Sequence, residues 1–124
     1  MLLITSKKTI IMLKKRFLQE DNKVEVQFVL PVTLADEVDE VFLTGDFNNW
    51  SRRNVGAQPI RMTREEDTYS IALLLDMNRE YSYLYVLYRN EPRLSEYWEM
   101  DWNADKYIPA PLGGCDSVVI TYCF

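Results

Sequence analysis

Three kinds of side chain in this sequence could do chemistry, and their spacing narrows what that chemistry is. Carboxylates come in close pairs, Glu99 with Asp101 and Asp101 with Asp105, and glycosidases use carboxylates in twos. A hydrolytic pair needs one acid desolvated in a cleft so that its pKa rises. One small domain of 124 residues has little room for such a cleft, so no enzyme is expected. The chain has no histidine, which removes Ser-His-Asp and Cys-His constellations and histidine-ligated zinc together. Cys115 and Cys123 are the only cysteines. Two thiols cannot make a four-thiolate site, and their spacing matches no metal or redox motif. No metal or cofactor is expected, and both thiols read as those of a reducing compartment. Aromatic chemistry remains. Trp50, Trp98 and Trp102 stand among turn-forming and acidic residues. An indole face can stack on the apolar C–H face of a pyranose while polar neighbours take up its hydroxyls.

The elements that must position these residues are strands. Val24, Val26, Phe28 and Leu30 alternate with more polar residues until Pro31 stops the run. Val38 to Leu43 is a second strand, ending in Thr44-Gly45-Asp46. Pro59 to Thr63 is a short one, and Arg64-Glu65-Glu66-Asp67 reads as the turn after it. Tyr69, Ile71, Leu73 and Leu75 share a face of the next. Met77-Asn78-Arg79 turns the chain into Tyr81, Tyr83, Tyr85 and Leu87, and Val118, Ile120 and Tyr122 alternate in the last strand. No stretch keeps helical periodicity. About seven short strands separated by turns predict an all-β, immunoglobulin-like β-sandwich. Its core should hold Val26, Phe28, Leu43, Phe47, Ile71, Leu73, Tyr83 and Val118. Trp50 and Trp98 adjoin turns rather than alternating into a strand, so both are expected as exposed platforms. Trp102, flanked by Asp101 and Asn103, is expected in the core or shielding it.

Two segments carry a family resemblance. One is Val41-Phe42-Leu43-Thr44-Gly45-Asp46-Phe47-Asn48-Asn49-Trp50. The other is Trp98-Glu99-Met100-Asp101-Trp102-Asn103-Ala104-Asp105-Lys106-Tyr107-Ile108-Pro109, followed by Leu112-Gly113-Gly114-Cys115-Asp116. Together they resemble family-48 carbohydrate-binding modules, the isoamylase early-set domains. These include the glycogen-binding domain of the AMP-activated kinase β subunit and the N-terminal domains of isoamylase and branching enzyme. The match is nearest to small bacterial stand-alone versions and runs from about Lys14 to Cys123. The resemblance implies a non-catalytic module for α-1,4-glucan such as glycogen or maltooligosaccharide, with a possible partner protein in glycogen metabolism. It implies Trp50 and Trp98 as the platforms, Leu112 against the sugar, and Asp116 and Asn49 beside it. The chain departs from the kinase-subunit pattern at Leu84, where a binding lysine is usual, and at Gly114, where a threonine is. Asp116 replaces an asparagine, keeping an acceptor and losing a donor. Arg89 or Arg93 in the longer loop is the candidate replacement donor. The alternative is a protein-interaction domain on the same scaffold with sugar binding lost.

Composition fits a single soluble domain. The chain is 48% hydrophobic and 13% aromatic, which excludes disorder. A net charge of −5 argues against nucleic acid as a general partner. Residues 1–13 lack a clean period and carry Lys7 and Lys8 inside an apolar run, unlike a signal peptide. They are read as a leader that contributes little to the fold, with Met12 a second candidate start, and residues 14–124 as the domain. No segment is long and apolar enough to span a membrane, so a cytoplasmic location is expected.

Overall fold

A computed structural model describes residues 13–31, 38–50, 60–90, 95–111 and 113–122. The leader up to residue 12, Arg93, Leu112 and Cys123 lie outside the described residues. Among those described, regular structure is strand apart from two 3₁₀ turns, Gln19–Asp21 and Asp46–Asn48. The strands are β1 (Leu13–Leu18), β2 (Lys23–Pro31), β3 (Glu40–Gly45), β4 (Ile60–Arg61), β5 (Thr63–Glu65), β6 (Thr68–Asp76), β7 (Glu80–Arg89), β8 (Ser95–Glu99), β9 (Lys106–Pro109) and β10 (Cys115–Ile120). No helix among them is long and apolar enough to cross a membrane.

The expected all-β sandwich is the observed architecture. One sheet has the order β1-β2-β6-β5, the other β4-β3-β7-β10-β9, with β8 paired to the far end of β7. All pairings are antiparallel. Apart from β8 and β9, this is the A-B-E-D against C′-C-F-G arrangement of an immunoglobulin domain. β8 and β9 lie inside the connection between β7 and β10, which corresponds to F–G. The strand count therefore exceeds the expected seven. The sequence reading also placed Arg64 and Glu65 in a turn, whereas Thr63–Glu65 pairs with Thr68–Ser70 as a hairpin edge.

The inward residues follow the period of two that pleating imposes. Val24, Val26, Phe28 and Leu30 of β2 face Tyr81, Tyr83, Tyr85 and Leu87 of β7, and all are buried in one cluster with Val41, Leu43, Met62, Tyr69, Leu75 and Val119. Of the expected core, Val26, Phe28, Leu43 and Tyr83 lie in this cluster, and Phe47, Ile71 and Leu73 pack against it half-buried. Val118 is buried, but on the other side of its sheet. It pairs with Ser82, while its neighbour Val119 pairs with the inward Tyr81. Val118 and Val119 are both apolar, so alternation alone could not say which one faces inward. Leu13 pairs with Phe28 as the first described residue of β1, one position inside the expected leader.

Candidate functional site

The turn after β3 is built almost residue by residue from side chains that must be there. Gly45 leaves no room for a Cβ, which would stand 2.3 Å from the Ser82 carbonyl oxygen and 2.7 Å from the Tyr83 Cβ. The Asn48 Oδ1 accepts from the Gly45 amide at 2.8 Å, and its Nδ2 donates to the Leu43 carbonyl at 3.3 Å. Asp46 bridges two elements: one carboxylate oxygen accepts from the Ser82 amide at 2.7 Å, the other from the Trp50 indole N–H at 2.8 Å. Phe47 packs beside Phe28, Tyr81 and Tyr83 at centroid distances of 5.7, 6.2 and 6.4 Å. Asn49 and Trp50 then adopt left-handed backbone with φ of 56° and 51°, a conformation that asparagine tolerates and tryptophan takes only when its surroundings fix it. Asn49 is exposed and Trp50 half-buried.

The second segment is organised around Asp101, whose side chain is wholly enclosed. One oxygen accepts from the Tyr83 hydroxyl at 2.6 Å and from Tyr85 at 3.3 Å, the other from the Asn103 amide at 2.9 Å. Its own amide donates to the Ser117 Oγ at 2.7 Å, and its carbonyl accepts from the Tyr107 hydroxyl, also at 2.7 Å. Burial pushes the Asp101 pKa up, against the opposing pull of Tyr83, Asn103 and Tyr85. The same burial, reinforced by the Asp101 charge, pushes both tyrosines far above their usual range. Asp101 thus has the raised pKa that a catalytic acid needs, yet no open face through which a substrate could reach it. Asp105 is tied down as well: one oxygen accepts from the Lys15 Nζ at 2.6 Å and the Ile120 amide at 2.7 Å, joining β1 to the end of β10. Among the described residues no group of three or more metal-ligating side chains occurs.

Trp98 lies on the outer face of the six-stranded sheet. It stands directly opposite Val86, which on its other side faces Phe42. Opposed residues of an antiparallel pair share a face, so Phe42, Val86 and Trp98 form one row across three strands. Tyr88, next along β7 on that face, meets Phe42 edge-on at 5.6 Å. Trp98 keeps 37% of its surface exposed. Its indole N–H donates to the Glu96 carboxylate at 2.5 Å, and Glu96 lies opposite Tyr88. The result is an exposed indole held by an acid, at the rim of an aromatic row, with Glu40 and Arg61 paired at 3.0 Å across the far side.

The sequence-expected residues distribute unevenly around this row. The Trp50 indole is tied through Asp46 to Ser82, whereas Trp98 stands opposite Val86, and those two positions of β7 are about 13 Å apart at the usual rise of an antiparallel strand. Asp116 is only 3% exposed, so its carboxylate lies beneath the surface rather than beside a ligand. Leu84, at the expected lysine position, is buried. Gly114 has φ of 70° in the turn where the Ala110 amide donates to its carbonyl, backbone that disfavours the threonine of the family pattern. Trp102 corrects the sequence reading. It is 59% exposed, its indole N–H donating to Glu99 at 2.8 Å, because enclosed Asp101 directs the following residue outward. Glu96 and Tyr97 are not among the residues the sequence singles out, and Glu99 stands there only as half of a carboxylate pair. The available signal is Glu96-Tyr97-Trp98-Glu99, which at the period of two puts one acid and one aromatic on each face of the strand.

No family model and no curated protein matches this chain. Its structure is similar to part of the enterobactin esterase FES from Shigella flexneri. In the presence of 2,3-dihydroxy-N-benzoyl-serine the TM-score is 0.63 at 15% identity over 88% of this chain. In the presence of 2,3-dihydroxy-N-benzoyl-glycine it is 0.64 at 14% identity over 91%. The chain spans only 32% and 33% of those esterase chains, and the likeness is one of fold.

Proposed function

We propose that this domain is a non-catalytic module that binds α-1,4-glucan through the outer face of its six-stranded sheet, with Trp98 as the principal platform. The observation that carries the reading is the exposed Trp98 indole, fixed by Glu96 beside the Phe42–Tyr88 pair. A fixed ring spares the ligand the cost of ordering it. A carboxylate such as that of Glu96 accepts at about four lone-pair sites, which suits the hydroxyl donors of a sugar. At the polar positions of the family pattern Leu84 and Gly114 offer no side-chain donor or acceptor and Asp116 is buried, which leaves the Glu96 carboxylate beside Trp98 and favours the sugar hydroxyls as donors. Trp50 serves as a second, separate contact for a chain long enough to reach along β7, with Asn49 at its edge. The family resemblance in the two motifs supports the same reading.

Native gel migration with and without glycogen tests it, followed by calorimetry with maltoheptaose on the wild type and Trp98→Ala. Retardation of the wild type, and binding weakened at least about fivefold by Trp98→Ala, are expected, since stacking contributes about 1 kcal/mol or more per ring. A folded wild type whose mobility glycogen leaves unchanged would refute the reading and favour a protein-interaction role.

A further inference from the structure

Among the described residues six large hydrophobic side chains remain exposed, and three of them, Tyr97, Trp98 and Trp102, fall within one short stretch of chain. Such concentration distinguishes a functional surface from the scattered apolar residues of any protein exterior. Trp98 belongs to the outer face. Tyr97 and Glu99 lie opposite Leu87 and Tyr85, so they share the other face of β8, the one that continues the core side of the sheet. There Tyr97 is uncovered, with 47% of its surface exposed, and Glu99 is half-buried.

We propose that this opposite face of β8 is a second binding surface for neutral glucan, formed by Tyr97 and Trp102 with Glu99 between them and Arg89 at one end. The inference rests on the glucan reading of the Trp98 face and extends it to a site with different residues. Tyr97 and Glu99 are two positions apart on one face, about 7 Å along the strand. Glu99 in turn holds the Trp102 indole N–H at 2.8 Å. The Arg89 guanidinium lies 5.9 Å from the Tyr97 ring centroid, on the residue paired with Ser95. The order along the surface is therefore cation, ring, acid, ring.

That order fits a sugar better than an apolar protein segment. A pyranose needs ring faces for its C–H surface and both donors and acceptors for its hydroxyls. Arg89 supplies donors and Glu99 acceptors. Both rings are held by neighbouring charges before any ligand arrives, which reduces the entropy lost on binding. The charges interrupt the patch, so it offers no continuous apolar area of the kind a packed protein interface has at its centre. With Trp98 on one face and Tyr97 and Trp102 on the other, β8 forms a two-sided blade. Simultaneous engagement of two branches of one polymer raises retention without any new contact.

The test uses the intact chain with ¹⁵N-labelled tryptophan and follows the three indole N–H resonances during titration with maltoheptaose. Saturable shifts of both the Trp98 and the Trp102 resonances are expected. Trp98→Ala should leave the Trp102 shift in place, and Tyr97→Ala should weaken it about tenfold while sparing Trp98. On a glycogen gel either substitution alone should reduce retention roughly tenfold through lost avidity. Backbone amide dispersion checks that each variant is folded. A Trp98 shift with a stationary Trp102 resonance would overturn this inference and leave the first site standing. A Trp102 shift with a stationary Trp98 would support it and overturn the first site. Stationary resonances at both would overturn the two together.

Discussion

Replacing Asp101 with alanine should cost this domain a large part of its stability. The carboxylate is enclosed and accepts from two tyrosine hydroxyls and one amide. Truncation leaves the buried Tyr83 and Tyr85 hydroxyls without that acceptor, at about 1–3 kcal/mol for each orphaned group. Part of the loss is returned, because burying an ionised carboxylate is itself unfavourable, as its raised pKa records. A net cost of about 3–4 kcal/mol follows, a substantial share of the roughly 5–15 kcal/mol that holds a typical domain together. Urea unfolding followed by tryptophan fluorescence reads it as a lower midpoint at constant slope. In a Tyr83→Phe/Tyr85→Phe background no hydroxyl is left to orphan, and the same Asp101→Ala change should cost only about 1 kcal/mol. Equal costs in the two backgrounds would refute the network argument. The pH dependence follows in sign. The folded pKa lies above the unfolded value of about 3.9, so the folded state binds the proton more tightly. Asp101 then contributes stability below about pH 4 that is lost as pH rises through its folded pKa. Asp101→Asn should abolish that component, and a variant that keeps the full pH slope would show that another group causes it.

Gly45→Ala should lower the thermal midpoint by roughly 10 °C, since a Cβ 2.3 Å from a backbone oxygen forces β3 and β7 apart at an overpacking cost of about 3 kcal/mol; an unchanged midpoint would mean that the turn relaxes freely. Lys15→Met should cost about 1 kcal/mol, because Lys15 joins Asp105 and the Ile120 carbonyl in a partly buried pair. Added salt should not reproduce that loss in the wild type, and chemical denaturation in low and high salt checks both statements.

Much of the fold was legible in the sequence, and the reason is local. Alternation in Val24–Leu30 and Tyr81–Leu87 dictates which side chains face inward, since pleating permits only two faces. The Gly45–Trp50 motif specifies a turn because each residue meets a constraint set within a few positions or by the adjacent strand. Asp101 and Asp105 are anchors as well, but their partners on β7, β1 and β10 are distant in the chain. These motifs therefore encode the scaffold more directly than they encode a sugar site.

Tertiary structure alone decided the surface. Which of Val118 and Val119 points inward depends on the register with β7, where both choices are equally apolar. Asp116 is polar in sequence and buried in the fold, while Trp102 is apolar in sequence and lies outside. Their environments come from strands distant in the chain, and composition carries no record of that pairing. The grouping of Trp98 with Phe42 and Tyr88 on one side of β8, and of Tyr97 with Glu99 and Trp102 on the other, likewise exists only because β8 pairs with the far end of β7. Sequence determines which residues alternate; long-range pairing determines what each of the two faces meets.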